Sequence, residues 1–257
     1  CLRGGLSKRR DVLLGALVGL ALLTKVTAYV ALLSAVLVLA YRWWQERRLA
    51  AGPGRVTVPA LLWRYLLVLG PAAALSVWWF VRNVVVYDGF DPFGLERNEL
   101  VAGAQLRTGA FDLAAAKHFL VSYRSFWAQF GWMGVLVDER LYQILYVLGA
   151  VLAVGFVLFL VRQARHRAAL STFQRLALAL LAFHFGLVLL GDLQYNLTFV
   201  QAQGRYLFPA MLSIGLFAAL SWRELWAAEY KHLFLALLPA ALLGFDLLCL
   251  VKYVAPY

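Results

Sequence analysis

The chain has 257 residues, 63% hydrophobic and 14% charged, with a mean hydropathy of +0.76. A soluble domain is about half apolar and about a quarter charged, so an ordinary soluble globular protein is excluded and a single transmembrane domain over 1–257 is expected. The net charge of +11 does not point to nucleic acid, because the bases gather in short connectors, without the interleaved aromatics that a base-stacking surface needs.

Six apolar runs organise the sequence: 12–41, 61–87, 141–161, 176–191, 206–222 and 233–251. Most approach the ~20 residues that a helix needs to cross a bilayer. The expected fold is therefore all-α, a polytopic transmembrane helical bundle of about six spans. The first run has bases at both ends, Lys8, Arg9 and Arg10 before it and Arg42, Arg47 and Arg48 after it. A single crossing would leave one basic cluster outside, against the positive-inside rule. A straight helix of that length would also measure about 45 Å, against a hydrocarbon core of ~30 Å. Either the rule is broken here, or the run breaks near Thr24 and Lys25 into two short helices; the length favours the break. Gly15 and Gly19 form a G-x-x-x-G, a pattern that lets helices approach closely.

The connector 42–60 is basic and carries Gly52, Pro53 and Gly54, as a cytoplasmic turn would. The connector 162–175, with Arg162, Arg165, Arg167 and Arg175, reads the same way. Between them, 88–140 carries more acids (Asp88, Asp91, Glu96, Glu99, Asp112, Asp138, Glu139) than bases (Arg97, Arg107, Lys117, Arg124, Arg140). It is expected to be an extracytoplasmic loop region. The connector 192–205 then falls outside and 223–232 inside. Within 112–130, Leu113, Ala116, Leu120, Tyr123, Trp127 and Phe130 recur at helical spacing. They predict an amphipathic helix, either lying on the membrane surface or packed within a small outer domain.

No phosphate-cradling glycine loop, metal-binding histidine pair or nucleophile elbow appears. Cys1 and Cys249, the two cysteines, have no metal-ligand spacing. The candidates for chemistry are therefore charges in apolar context and polar residues at helix ends. The strongest group is Trp78-Trp79-Phe80-Val81-Arg82-Asn83, followed by Tyr87-Asp88-Gly89-Phe90-Asp91-Pro92. Arg82 offers a planar five-donor fork suited to phosphate or carboxylate. The plainer alternative is that Arg82 snorkels to lipid headgroups beside an interfacial tryptophan belt. A second group, Gln203-Gly204-Arg205-Tyr206-Leu207-Phe208-Pro209, stands at an apolar run's start, as an anion site or as an interfacial anchor. Lys25 lies inside an apolar run, where a cation is costly unless paired or wet. His184 and Asp246 are expected to serve helix–helix hydrogen bonds. Asn196-Leu197-Thr198 matches a glycosylation sequon, a weak three-residue signal.

Taken in order, Gly15 to Lys25, Trp79-Phe80-Val81-Arg82-Asn83 with Tyr87 to Pro92, and Gln203 to Pro209 form a familiar series. The chain resembles the C-type (GT-C) integral-membrane glycosyltransferases, near the protein mannosyltransferase and lipid A aminoarabinose transferase branch. Phe126-Trp127-Ala128-Gln129-Phe130-Gly131-Trp132-Met133 is similar to outer-loop sequence of bacterial relatives. The resemblance implies a multi-pass protein of the inner (plasma) membrane that transfers a sugar from a polyprenyl-phosphate-linked donor on the outer face. It implies a catalytic aspartate in a first outer loop, often metal-assisted, which nothing here matches. With Cys1 in place of Met, the chain is expected to be the C-terminal half of such an enzyme, lacking its N-terminal half. It would carry no cofactor of its own, and a divalent metal would belong to the full-length protein. The resemblance assigns the lipid phosphate to Lys25, Arg82 and Arg205, with Asn83 and Tyr206 beside them. Tyr87, Asp88, Asp91, Trp127 and Gln203 are the accompanying candidates for outer-face substrate contacts. Two other classes share these features: a transporter or flippase of a polyprenyl-linked substrate, and a non-catalytic membrane subunit of an envelope-assembly complex.

Overall fold

The computed structural model describes residues 7–25, 28–49, 57–87, 89–108, 117–165, 170–227 and 229–256. Cys1, the turn at Gly52, Pro53 and Gly54, Asp88, and Leu113 and Ala116 of the outer-helix pattern lie outside them. The described residues are almost entirely helical: α1 (Lys8–Thr24), α2 (Tyr29–Leu49), α3 (Val58–Val86), α4 (Leu95–Ala102), α5 (Lys117–Ala128), α6 (Glu139–Arg165), α7 (Thr172–Thr198), α8 (Met211–Glu224) and α9 (Lys231–Cys249). One small hairpin pairs Gln129 with Leu136 and Phe130 with Val135. Five helices, Val58–Val86, Glu139–Arg165, Thr172–Thr198, Gly204–Glu224 and His232–Val254, are long and apolar enough to cross a membrane. The protein is thus a multi-pass, all-α membrane protein. Many of its large apolar side chains point outward, Leu62, Val85, Ile144 and Leu190 among them, as expected where the solvent is hydrocarbon.

The first apolar run does not cross as one helix. Thr24 Oγ1 bonds back to the Ala21 carbonyl at 2.6 Å, and Lys25 leaves the helix in extended backbone, φ −159° and ψ 132°. The 17 residues of α1 span about 25 Å. Ending the helix there avoids burying the Lys25 ammonium mid-span.

The described residues fall into two compact units. The first comprises Cys1–Leu106 with Leu176–Leu187. Here the G-x-x-x-G acts as expected. An added Cβ at Gly15 would overlap the Val68 carbonyl, and one at Gly19 would lie 2.8 Å from the Ala72 carbonyl oxygen and 3.0 Å from Ala72 Cα. Asp11 accepts a 3.0 Å hydrogen bond from Arg64 Nη1. Partners in α3 advance with position in α1, so the two helices run parallel. In α2 the order reverses: Trp43 Nε1 donates to the Thr57 carbonyl at 3.1 Å, and Tyr65 Oη to the Val36 carbonyl at 3.3 Å. α2 therefore runs antiparallel to α3. This up-down-up arrangement places Lys8, Arg9 and Arg10 at the start of α1, Arg47 and Arg48 near the end of α2, and the start of α3 on one side. The charge conflict of a single first span disappears. Ser34 Oγ and His184 Nδ1 stand 3.1 Å apart, the interhelical hydrogen bond expected of His184.

The second unit comprises Arg107–Arg175 with Val188–Tyr257. α6 and α8 pack so closely that a Cβ at Gly155 would overlap the Ser221 carbonyl. Arg162 and Glu224 join the same helices further on, at 3.0 Å. A small core of Ala128, Val137, Tyr142, Leu145 and Cys249 ties α5, the hairpin, α6 and α9 together. Cys249 is a buried free thiol within it. Burial pushes the Tyr123 hydroxyl above its usual range, and it donates to the Leu145 carbonyl at 2.5 Å. α5 is thus a packed helix on this side, while Phe119 and Leu120 are exposed. Asp246 departs from its expected role as a helix–helix partner. It is exposed on α9, because this part of α9 turns Phe245 and Cys249 inward instead.

Candidate functional site

In the first unit the site is the end of α3. Arg82 is exposed on the last turns. Its guanidinium lies 5.0 Å from the Trp79 ring and 5.8 Å from the Tyr87 ring. Arg82 Nη1 donates to Asn83 Oδ1 at 3.2 Å. Asn83 is itself buried, and its Nδ2 donates to the Pro92 carbonyl at 3.0 Å. Asn83 therefore orients Arg82 and straps the following turn to the helix. Phe80 and Phe93 stack edge-on at 5.5 Å and close the same turn.

Asp91 is buried and fully engaged. Its two carboxylate oxygens accept from the Leu95 and Arg97 backbone N–H groups at 2.7 and 3.1 Å. These are the otherwise unsatisfied donors at the start of α4, where a negative charge also meets the helix dipole favourably. Asp91 is a capping group here. Tyr87 ends α3 and presents its ring to Arg82. Lys25 is exposed at the end of α1. Because α1 and α3 run parallel in register, that end lies toward the Arg82 end of α3.

In the second unit the site is the 3-10 turn Gly204–Ala210, which leads directly into α8. Gly204 permits its position. An added Cβ would overlap the Phe126 backbone and the Ser122 carbonyl, and the Gly204 N–H donates to Ser125 Oγ at 2.7 Å. Arg205 is exposed, its guanidinium 5.2 Å from the Trp132 ring and 5.7 Å from the Tyr206 ring. Tyr206 Oη donates to Gln201 Oε1 at 2.5 Å. Gln203 is half-buried in extended backbone before the turn. Trp127 is half-buried against the rings of Tyr123 and Phe126.

Beneath this turn lies a buried polar network that the apolar pattern did not reveal. α7 runs on to Thr198 instead of stopping near Gly191, so Asp192 and Asn196 share a helical face. Asn196 is completely buried. Its Nδ2 donates to the Asp192 carbonyl and to Asp192 Oδ1 at 2.9 and 3.2 Å. Its Oδ1 accepts the Gln201 N–H at 3.1 Å. His118 Nε2 stands 3.5 Å from Asp192 Oδ2, and Arg107 Nε donates to the Asn196 carbonyl at 2.8 Å. The sequon asparagine is therefore structural. The polar spacing Asp192 to Asn196, four residues apart, is the signal that could have extended the helix.

The arginines differ in their partners. Arg64, Arg124 and Arg162 face the carboxylates of Asp11, Glu139 and Glu224. Arg82 and Arg205 each lie over two aromatic rings, and no carboxylate among the described residues pairs with either. Arg124 combines its carboxylate with the Tyr142 and Tyr146 rings, and Arg47 and Arg48, at the end of α2, lie over one tryptophan ring each. Among the described residues no group of three or more His, Cys, Asp or Glu side chains is placed to hold a metal ion. Comparison with known protein families, with curated proteins and with solved structures finds no match for this chain.

Proposed function

We propose that the chain is part of a membrane glycosyltransferase that takes its sugar from a polyprenyl-phosphate carrier at the outer face of the plasma membrane. The observation that carries this reading is the pair of exposed arginines, Arg82 and Arg205, at ends of membrane-length helices. Each is held over two aromatic rings, and neither has a carboxylate partner among the described residues. Stacking leaves a guanidinium's edge donors available while fixing its plane. Such a cation at the oil–water boundary suits an anionic headgroup whose apolar tail lies among helices. The resemblance in motif order supplies the sugar-transfer chemistry and the carrier class.

Arg82→Gln and Arg205→Gln, each in the whole protein as cells make it, test the reading. One charge-assisted hydrogen bond contributes about 1.5–3 kcal/mol, so each change should weaken carrier binding and transfer by roughly 10- to 100-fold with folded protein retained. Wild-type turnover in both variants refutes it. Carrier binding and movement without sugar transfer by purified protein would make the molecule a flippase instead.

A further inference from the structure

The hairpin between α5 and α6 ends in an unusual turn. Three successive residues, Gly131, Trp132 and Met133, have φ of +52°, +55° and +69°. Left-handed backbone is cheap for glycine but costs a bulky side chain free energy, and such positions cluster at functional sites. Here the strain serves to raise one side chain, since Trp132 is 87% exposed. The hairpin that carries it is anchored below, with Ala128 and Val137 buried in the unit's core. Arg205 comes to the Trp132 ring from a different element, itself pinned through Gly204 to Ser125. An interfacial anchor needs neither a left-handed backbone nor a cation from elsewhere seated on its ring.

We propose that Trp132 and Arg205 form one outer-face platform for a glycosyl phosphate, the indole taking the C–H face of the sugar and the guanidinium the phosphate. This rests on the carrier reading above and extends it to the sugar. The physics divides cleanly between the two groups. An indole face is electron-rich and attracts the partly positive C–H hydrogens of a pyranose, whereas a guanidinium donates in-plane to phosphate oxygens. With the ring almost fully exposed, a sugar has an open face to meet.

Binding to the whole protein as cells make it, purified into lipid nanodiscs, separates these contributions. The probes are undecaprenyl phosphate and a panel of undecaprenyl-phosphoryl hexoses and pentoses. The wild type should bind at least one glycosylated carrier more tightly than the bare one. Trp132→Leu keeps apolar bulk without a π face and should erase that preference, roughly 3- to 10-fold, with a smaller loss of bare-carrier binding because Tyr206 still seats Arg205. Trp132→Phe should keep most of the preference, and Arg205→Gln should weaken both ligands. An intact preference in Trp132→Leu, or no preference for any sugar in the wild type, overturns the platform and leaves the carrier reading standing. Failure of every carrier to bind the wild type overturns both.

Discussion

Replacing Gly15 by alanine adds a single methyl group, and it should part α1 from α3. The added Cβ would overlap the Val68 carbonyl oxygen and lie 3.0 Å from Val68 Cα. Both groups are backbone, so no side chain can swing aside. Carbon atoms settle at about 3.5–4.0 Å, so the helices must separate locally by roughly 1 Å and forfeit up to half of the dispersion energy across the contact. Overpacking of this kind costs about 1–3 kcal/mol. Gly70→Ala in α3 is the control, because nothing lies within 4 Å of its Cβ position. There, only the helix-propensity gain of about 0.5–1 kcal/mol applies. Reversible unfolding in mixed micelles, titrated with sodium dodecyl sulfate, measures both. Gly15→Ala should be less stable than wild type and Gly70→Ala equal or more stable. Equal behaviour of the two variants would refute the close parallel contact of α1 and α3.

Three further outcomes follow from particular side chains. Arg64→Ala leaves the Asp11 carboxylate, 1% exposed, without its cation and should cost about 3 kcal/mol in the same titration; Asp11→Asn, which strands only the half-buried and more exposed Arg64 guanidinium, should cost less. Asn196→Ala strands the Gln201 N–H and should cost about 1–3 kcal/mol, with faster amide exchange over 199–203. The third concerns pH. Hydrogen bonds from Lys252 and Tyr253 hold the Asp138 carboxyl below its ordinary value of 3.8. Its contribution is thus complete above 3.8 and is lost as pH falls through the lowered value. Exchange at residues 250–254 should accelerate in that acid range, and Asp138→Asn should show the same loosening at neutral pH.

Much of the candidate site was legible because it follows from local order. Trp79, Arg82, Asn83 and Tyr87 lie within a few residues of one another, so a helix end suffices to assemble them. Lys25 stood out because a cation inside an apolar run demands an explanation. Trp132, although within a recognised stretch, gave no sign of its partner. Arg205 is far away in sequence and reaches it only through the packing of the 204–210 turn on α5. The roles of Asp91 and Asn196 were hidden for another reason. A capping carboxylate and a buried amide look like exposed polar residues until the backbone donors and carbonyls around them are placed.

The sequence by itself determined that this is a helical membrane protein, where its long spans lie and which cations stand near their ends. Hydrocarbon accepts few other arrangements of so apolar a chain. The length of the first run already favoured a break near Thr24 and Lys25; only the tertiary structure decided that α1 and α3 run parallel. It also decided which arginines meet carboxylates and which meet aromatic rings. Those outcomes depend on van der Waals contact between residues far apart in the chain, and one methyl group at Gly15 or Gly204 would change them.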